Sequence, residues 1–462
     1  MYLRWKTERS HLITMDDILN LLEKNNITLV RFEQIDMYGI SQCRAVPLKH
    51  FKTSAEHGVN FSKGLLIFDP RGYPFENSGY GEEIHYEDCR VFPDLDTFAI
   101  LPWMKNTARV LVEGEMNGKK VPIYPRVVAR RQLDRLADYD LSLWSAHEHE
   151  FYAVKADTME PIDHESYAFS SLRLSADEDF IQQIVVDLPK AGVDVECVTF
   201  ETCAGHMEVT YRPEFGIKAA DTAYTYKLGI KEIALKHGYV ASFMSKPWPQ
   251  EHGSSAHYCH SLWDAAGKVS KLYDASSSTG LSKIGEYWVA GLLAHARAIS
   301  VLMAPTVNCL KRFKRHSFAP YNVTWGPDNR TCAIRIKIQG DKGTYIENRL
   351  GASGCNPYIS MAATIAAGLD GIVNKLPLPK GIDGASSAYD DEYVPPLTPA
   401  LPDNMEEAVE ALLADEVITS ALGEEFIKCF VAAKRHEMKL EKEAIEKGRL
   451  EEWEREFLFF MM

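Results

Sequence analysis

Two short acidic runs constrain this chain more than any other feature. The first is Trp144-Ser-Ala-His-Glu148-His-Glu150-Phe-Tyr, the second Glu201-Thr-Cys-Ala-Gly-His-Met-Glu208. Both are otherwise apolar, and each reads as a β-strand. Residues i and i+2 of a strand point to the same side, so Glu148 and Glu150 share a face. Two carboxylates on one inward face repel each other unless a cation lies between them. On a solvated strand edge the same pair is harmless. One Glu-x-Glu alone is compatible with either reading, and a second acidic cluster in a comparable context favours a metal.

Bulk properties bound the alternatives. A chain of 462 residues suggests two domains or one large elaborated one. A formal net charge of −14 argues against nucleic-acid or anionic-membrane binding, since both partners would repel it. No apolar run reaches the roughly 18–20 residues that cross a bilayer, and the first ten residues contain no apolar signal core. Nine cysteines without a Cys-x-x-Cys fit reduced thiols better than a disulfide framework. The expectation is a soluble cytoplasmic protein.

In chain order, residues 12–101 read as a small mixed module that closes near Pro93–Pro102, with a boundary near 105–120. Pro125 opens a helix over 127–136. Helices are expected near 179–191, over 219–237, over 287–303 and over 357–374, the last rich in small residues and close-packed. Residues 376–402 form a Pro/Gly/Ser/Asp loop long enough to be functional. From Asn404 onward the pattern is helical, and its charged C-terminal face reads as solvated or docked on a neighbouring subunit.

Six residues gather into one donor set: Glu148, Glu150, Glu201, Glu208, His257 and Glu347. Five carboxylates and one imidazole suit Mg²⁺ or Mn²⁺ better than zinc, and six donors are enough for two ions. Arg312, Arg330, Arg335, Lys342 and Arg349 can hold phosphate or carboxylate oxygens, arginine with a bidentate grip. Two metals with a cluster of cations is the apparatus of phosphoryl transfer. No Gly-x-x-x-x-Gly-Lys-Ser/Thr occurs, so no P-loop is present. Taken singly, Arg335 or Lys337 reads as an acid's partner and His257 as a satisfied core histidine.

The order of these runs resembles the glutamine synthetase superfamily, of the bacterial type I kind, from about residue 18 onward. The matching runs are His147-Glu-His-Glu-Phe, Glu201-x6-Glu208, Phe243-Met-Ser-Lys-Pro, Gly253-Ser-Ser-Ala-His257, Lys311-Arg-Phe, Asn329-Arg330, Glu347-Asn-Arg349 and Asn356-Pro-Tyr-Ile. Arg-Pro-Glu-Phe-Gly-Ile-Lys-Ala-Ala-Asp and Trp-Val-Ala-Gly-Leu-Leu-Ala-His look closest to the branch of lengsin and the glutamate–amine ligases. The resemblance implies an α+β fold: an extension over 1–17, a β-grasp domain over 18–110, and a catalytic domain with a curved antiparallel sheet over 111–462. It implies a dodecamer of two hexameric rings. It places Glu150, Glu201 and Glu208 at one metal and Glu148, His257 and Glu347 at the other. Arg312, Arg349 and Gly253 would grip glutamate, while Arg330, Arg335, Lys342, Ser261 and Cys259 would face ATP or its phosphates. The family reaction phosphorylates the γ-carboxylate of glutamate with ATP, after which an amine displaces the phosphate.

Departures from the family pattern bear on the amine. The synthetases' ammonium-side glutamate before Ala-Pro is Phe318 here, and the corresponding aspartate of the N-terminal domain aligns with Ser62. Losing both carboxylates removes the attraction for NH₄⁺, and an aromatic ring can instead take a carbon chain or stack on a cation. His252 stands for an asparagine of the glutamate site, His206 for a glutamine, and Cys259 for a nucleotide-side histidine. Three readings follow: a γ-glutamyl ligase for an organic amine, a glutamine synthetase using ammonia, or a lengsin-like structural protein without catalysis. Retention of all six donors favours catalysis, since unused buried carboxylates are costly.

Overall fold

In a computed structural model of the protein, residues 13–163 and 167–462 are described. The first sheet runs in the order Ser41–Pro47, Leu29–Ile35, Thr107–Met116, Asp88–Ile100, Val59–Ser62, with Lys119–Lys120 beside Thr107–Met116. Leu29–Ile35 pairs antiparallel with Ser41–Pro47 and parallel with Thr107–Met116. The helix Leu48–His57 buries Phe51, whose ring meets Phe32 edge-on at 5.9 Å. The stretch from Pro93, where the module is expected to close, is still strand. Pro93 pairs with Val112 inside Asp88–Ile100, and the ladder breaks one residue later, between Asp94 and Ala99.

The second sheet has nine strands and supplies the site. Its path is Trp325–Pro327, Ile334–Lys337, Tyr345–Asn348, Ala256–Asp264, Leu141–Lys155, His206–Tyr211, Val195–Phe200. Glu214–Phe215 and Tyr239–Ser242 also pair with Leu141–Lys155, and all pairings but one are antiparallel. This sheet and the helices around it make the mixed α+β architecture that the sequence resemblance implies.

Behind the sheet, Pro357–Asn374 is almost wholly buried. Asn356 caps it by accepting from the Tyr358 N–H, and Pro357 occupies its first turn. Its crossing with Lys283–Ala294 admits no side chain: a Cβ on Gly371 would lie 2.0 Å from the Tyr287 carbonyl, and one on Gly291 2.2 Å from that of Ala367. The expected helix over 287–303 is instead two, Lys283–Ala294 and Ala296–Met303. His295 breaks it, with φ −101° and ψ 6°. At the C-terminus Glu451, Glu452 and Glu456 face solvent, while Phe457, Leu458 and Phe459 are buried in the chain's own core. No helix among the described residues is long and apolar enough to cross a membrane.

Candidate functional site

Four adjacent strands bring five of the six expected metal-site donors onto one stretch of the second sheet. Glu150 sits opposite Glu208 and Glu148 opposite His257. Cys259, next but one to His257, sits opposite Glu347, and Glu347 opposite Arg335. Glu201 arrives differently. The strand Val195–Phe200 ends before it and His206–Tyr211 begins after it, so the second acidic run is a hairpin turn followed by a strand. The Glu201 N–H donates to the His206 carbonyl at 2.8 Å. The turn is held by Arg173, buried against Asp163 at 3.2 Å, which donates to the carbonyls of Glu201 and Cys203.

Donor atoms of Glu148, His257 and Glu347 lie within 4.8 Å of one another. His257 Nδ1 is 3.5 Å from Glu148 Oε2 and 3.4 Å from Glu347 Oε1. Glu150 accepts from the Ser255 N–H and hydroxyl, both at 2.7 Å, and faces His206 Nε2 at 3.4 Å.

Charge is unevenly compensated across this floor. Burial pushes Glu208 up to about 9, reinforced by the carboxylates of Glu150, Glu148 and Glu201. Glu201 is raised the same way, by burial and then by Glu150. Glu347 goes the other way: against its burial, Arg349, His257 and Arg335 hold it down at about 2. Glu150 also lies low, because the hydrogen bond and charge of His206 outweigh its burial. The Glu201–Glu208 side therefore carries like charge that protein cations do not neutralise. A hard divalent cation answers that imbalance, so this donor set fits Mg²⁺ or Mn²⁺.

Above the floor lie Arg312, Arg349, Gly253, His252 and Phe318. Arg312 is 4% exposed, its Nη1 has no hydrogen-bond partner, and burial brings its pKa down to about 10. An orphaned guanidinium N–H in a buried setting is a ready anchor for a ligand carboxylate. Gly253 lies directly beneath it: a Cβ there would come 2.7 Å from Arg312 Cγ. Arg349 joins the two levels. Nη1 donates to Glu347, and Nη2 donates to the Phe318 carbonyl at 2.8 Å. The Phe318 ring is 66% exposed and lies 6.3 Å from the His252 ring, the planes 26° apart.

The remaining expected residues spread outward. Arg335 donates to Glu347 at 2.8 Å and to Asp328 at 2.5 and 3.1 Å, so it is already doubly engaged. Arg330 is exposed and near enough to Glu201 that its charge opposes part of the rise in that carboxyl's pKa. Lys342 is exposed on the turn between Ile334–Lys337 and Tyr345–Asn348. Cys259 is raised by burial and by Glu148 and Glu347, which disfavours its thiolate. Ser261 lies two residues along the same strand, and its hydroxyl accepts from Trp263 Nε1 at 2.8 Å. Ser62 is not brought to this cluster. It ends a strand of the first sheet, where its hydroxyl accepts from the Gly64 N–H and donates to the Tyr86 carbonyl.

Sequence reading passes over three contributors. Ser255 lies inside the Gly253–His257 run and satisfies Glu150, but its side chain gives no signal of that. Asp328 meets Arg335 across a turn seven residues long, and Arg173 reaches Glu201 from 28 residues upstream, so neither contact shows in a strand or helix period.

The comparisons agree with this geometry. Residues 122–456 match the glutamine synthetase catalytic domain. The chain is 36% identical to lengsin of Rattus norvegicus over 445 residues, covering 95% of this chain and 78% of that protein. It is 30% identical to glutamate–isopropylamine ligase of Pseudomonas sp over 435 residues, covering 91% and 94%. The structure of a GmaS/ADP complex superposes with a TM-score of 0.81 at 26% identity, covering 96% of this chain and 99% of that one. With a family match spanning most of the sequence and the acidic floor in place on the sheet, the chain belongs to the glutamine synthetase family of ligases.

Proposed function

We propose that the protein uses ATP to join the γ-carboxylate of glutamate to an organic amine. The observation that carries this reading is Phe318. It stands where the synthetases place a glutamate, and it faces the mouth of the site beside the His252 ring. Two aromatic rings and no carboxylate favour an amine with a carbon chain or a stacked cation over ammonium. The likeness to a glutamate–isopropylamine ligase supports the same substrate class.

In this reading Arg312 holds the glutamate carboxylate, with Gly253 leaving room for it. Arg330 and Lys342, both exposed, take the ATP phosphates. The γ-carboxylate oxygen attacks the γ-phosphorus, the bond to the bridging oxygen breaks, and ADP leaves. The amine nitrogen then attacks the acyl carbon, the bond to phosphate breaks, and the proton lost by the nitrogen leaves with the departing phosphate. Glu148, Glu150, Glu201, Glu208, His257 and Glu347 would hold Mg²⁺ or Mn²⁺, which when bound neutralises phosphate charge and favours phosphoryl transfer.

Phosphate release measured with ATP, Mg²⁺, glutamate and a panel of polyamines, ethanolamine, monoamines and ammonia tests this. Turnover with an organic amine above that with ammonia is expected. Ammonia alone giving robust turnover would make the protein a glutamine synthetase. The lengsin likeness raises a non-catalytic reading. It predicts silence across the panel and no rise in melting temperature with Mn²⁺ and a nucleotide, whereas a ligase must be stabilised by them. Assembly into two hexameric rings is part of the proposal, and light scattering reads it.

A further inference from the structure

We infer that Tyr389 is a positioning residue for the turn that carries Phe318, and that it thereby sets the fit of the amine. The inference rests on the ligase reading only for the identity of the ligand. The segment 311–320 contains no regular structure beyond turns, yet holds two aromatic residues in the left-handed region, His316 at φ 59° and Phe318 at φ 57°. Bulky L-residues avoid that region, and keep to it only where surrounding contacts over-determine the backbone.

Those contacts come from two sides. On the floor side, Arg349 donates to the Phe318 carbonyl at 2.8 Å. On the other, the Tyr389 hydroxyl donates to the Ala319 carbonyl at 2.8 Å, and its ring lies 5.1 Å from that of His316. Arg315 closes the same contact by donating to the Tyr389 carbonyl and to Asp391. Tyr389 is itself fixed, being 5% exposed. The Ala388 N–H donates to Thr331 at 2.8 Å, and Asn329 donates to the carbonyls of Asp383 and Ser386 at 2.8 and 2.7 Å. The long 376–402 loop is thus anchored beside Arg330, and Tyr389 transmits that anchorage to the residue after Phe318. Removing one hydroxyl loosens the turn without touching the metal floor.

Tyr389→Phe keeps the ring against His316 and removes only the bond to Ala319. Amide hydrogen exchange of correctly assembled protein is expected to rise about tenfold across 313–320, with the 201–208 hairpin unchanged. In steady state the KM for the amine should rise about fivefold, with the KM values for ATP and glutamate unmoved. Unchanged exchange across 313–320 overturns the inference, as does a rise shared equally by that segment and the hairpin. If the unsubstituted protein turns over no amine, the ligase reading fails while the exchange comparison still decides the role of Tyr389.

Discussion

Glu208 shows how strongly the floor selects for a cation. Its carboxyl is pushed up to about 9 by burial and by three neighbouring carboxylates, so without a counter-ion its charge works against the fold. Glu208→Gln keeps the shape and removes a carboxyl that the metal-free fold must hold protonated near neutral pH, although the unfolded chain ionises it. The metal-free variant should be more stable by about 1–2 kcal/mol, and Mn²⁺ should raise its melting temperature far less than that of the parent. A variant that melts lower without metal would show that Glu208 is not in a repulsive cluster. Phe318 makes the complementary case at the mouth. Phe318→Glu returns a carboxylate to a position whose carbonyl is pinned by Arg349, so the new charge arrives in a defined place. Ammonia turnover should rise at least about tenfold and the KM for the organic amine should climb by a similar factor, because a carboxylate attracts a small cation that an aromatic rim does not. Equal effects on both amines in the panel assay would remove Phe318 from specificity.

Among the elements, the break at His295 matters most, because it ties three helices together. Nδ1 lies 2.6 Å from Asp415, which caps Glu416–Leu422, and Nε2 lies 3.1 Å from Asp370 on Pro357–Asn374, where Asn374 also bonds Asp370. Burial lowers the imidazole's pKa, but the two carboxylates outweigh it and raise the pKa above its ordinary value. The charged form therefore binds more tightly in the fold than in the open chain. Its stabilisation is complete below about pH 6 and is lost as pH rises through the folded value. His295→Gln should cost about 1–2 kcal/mol at pH 6 and progressively less at pH 8 and above, as urea midpoints taken across that range would register. An offset that does not change with pH would mean that the imidazole is neutral. This junction was not legible in the sequence, since residues 287–303 hold a continuous apolar pattern with no proline at the break, and the two aspartates lie 75 and 120 residues away. The faces of the acidic strand were legible, because period-two alternation is local and Glu148 and Glu150 need only a strand to align. Glu201 fell between these cases. Its spacing to Glu208 was visible, but the turn that separates them is held by Arg173 from outside the run.

At the scale of the molecule, the two sheets are joined by buried polar groups, which predicts how the chain unfolds. Arg126, on the helix Pro125–Ala137, is 3% exposed. It reaches Asp94 and Glu113 on the first sheet, and it grips Asp221 on Ile217–Lys236 with two bonds of 2.8 Å. Tyr358 on Pro357–Asn374 donates to the same aspartate at 2.7 Å. Nearby, Arg31 and Trp103 both bond Glu232, each at 2.7 Å. Neither sheet can leave the other without exposing or stranding these charges, so unfolding should be a single transition despite the two sheets. Arg126→Leu takes a cation from three carboxylates at once, leaving Asp94 and Glu113 to Arg130 and Asp221 to the Tyr358 hydroxyl, and should cost about 3 kcal/mol. Burial would raise Asp94 and Glu113, but Arg126 and then Arg130 bring both below the usual carboxylate range. The stability they add is present above about pH 4 and is lost as pH falls through their folded values. The parent should therefore lose stability steeply on acidification, and Arg126→Leu should lose less of it. Thermal melts from pH 3 to 7 read both effects, and a variant that keeps the parent's acid slope would place the acid-sensitive carboxylates elsewhere.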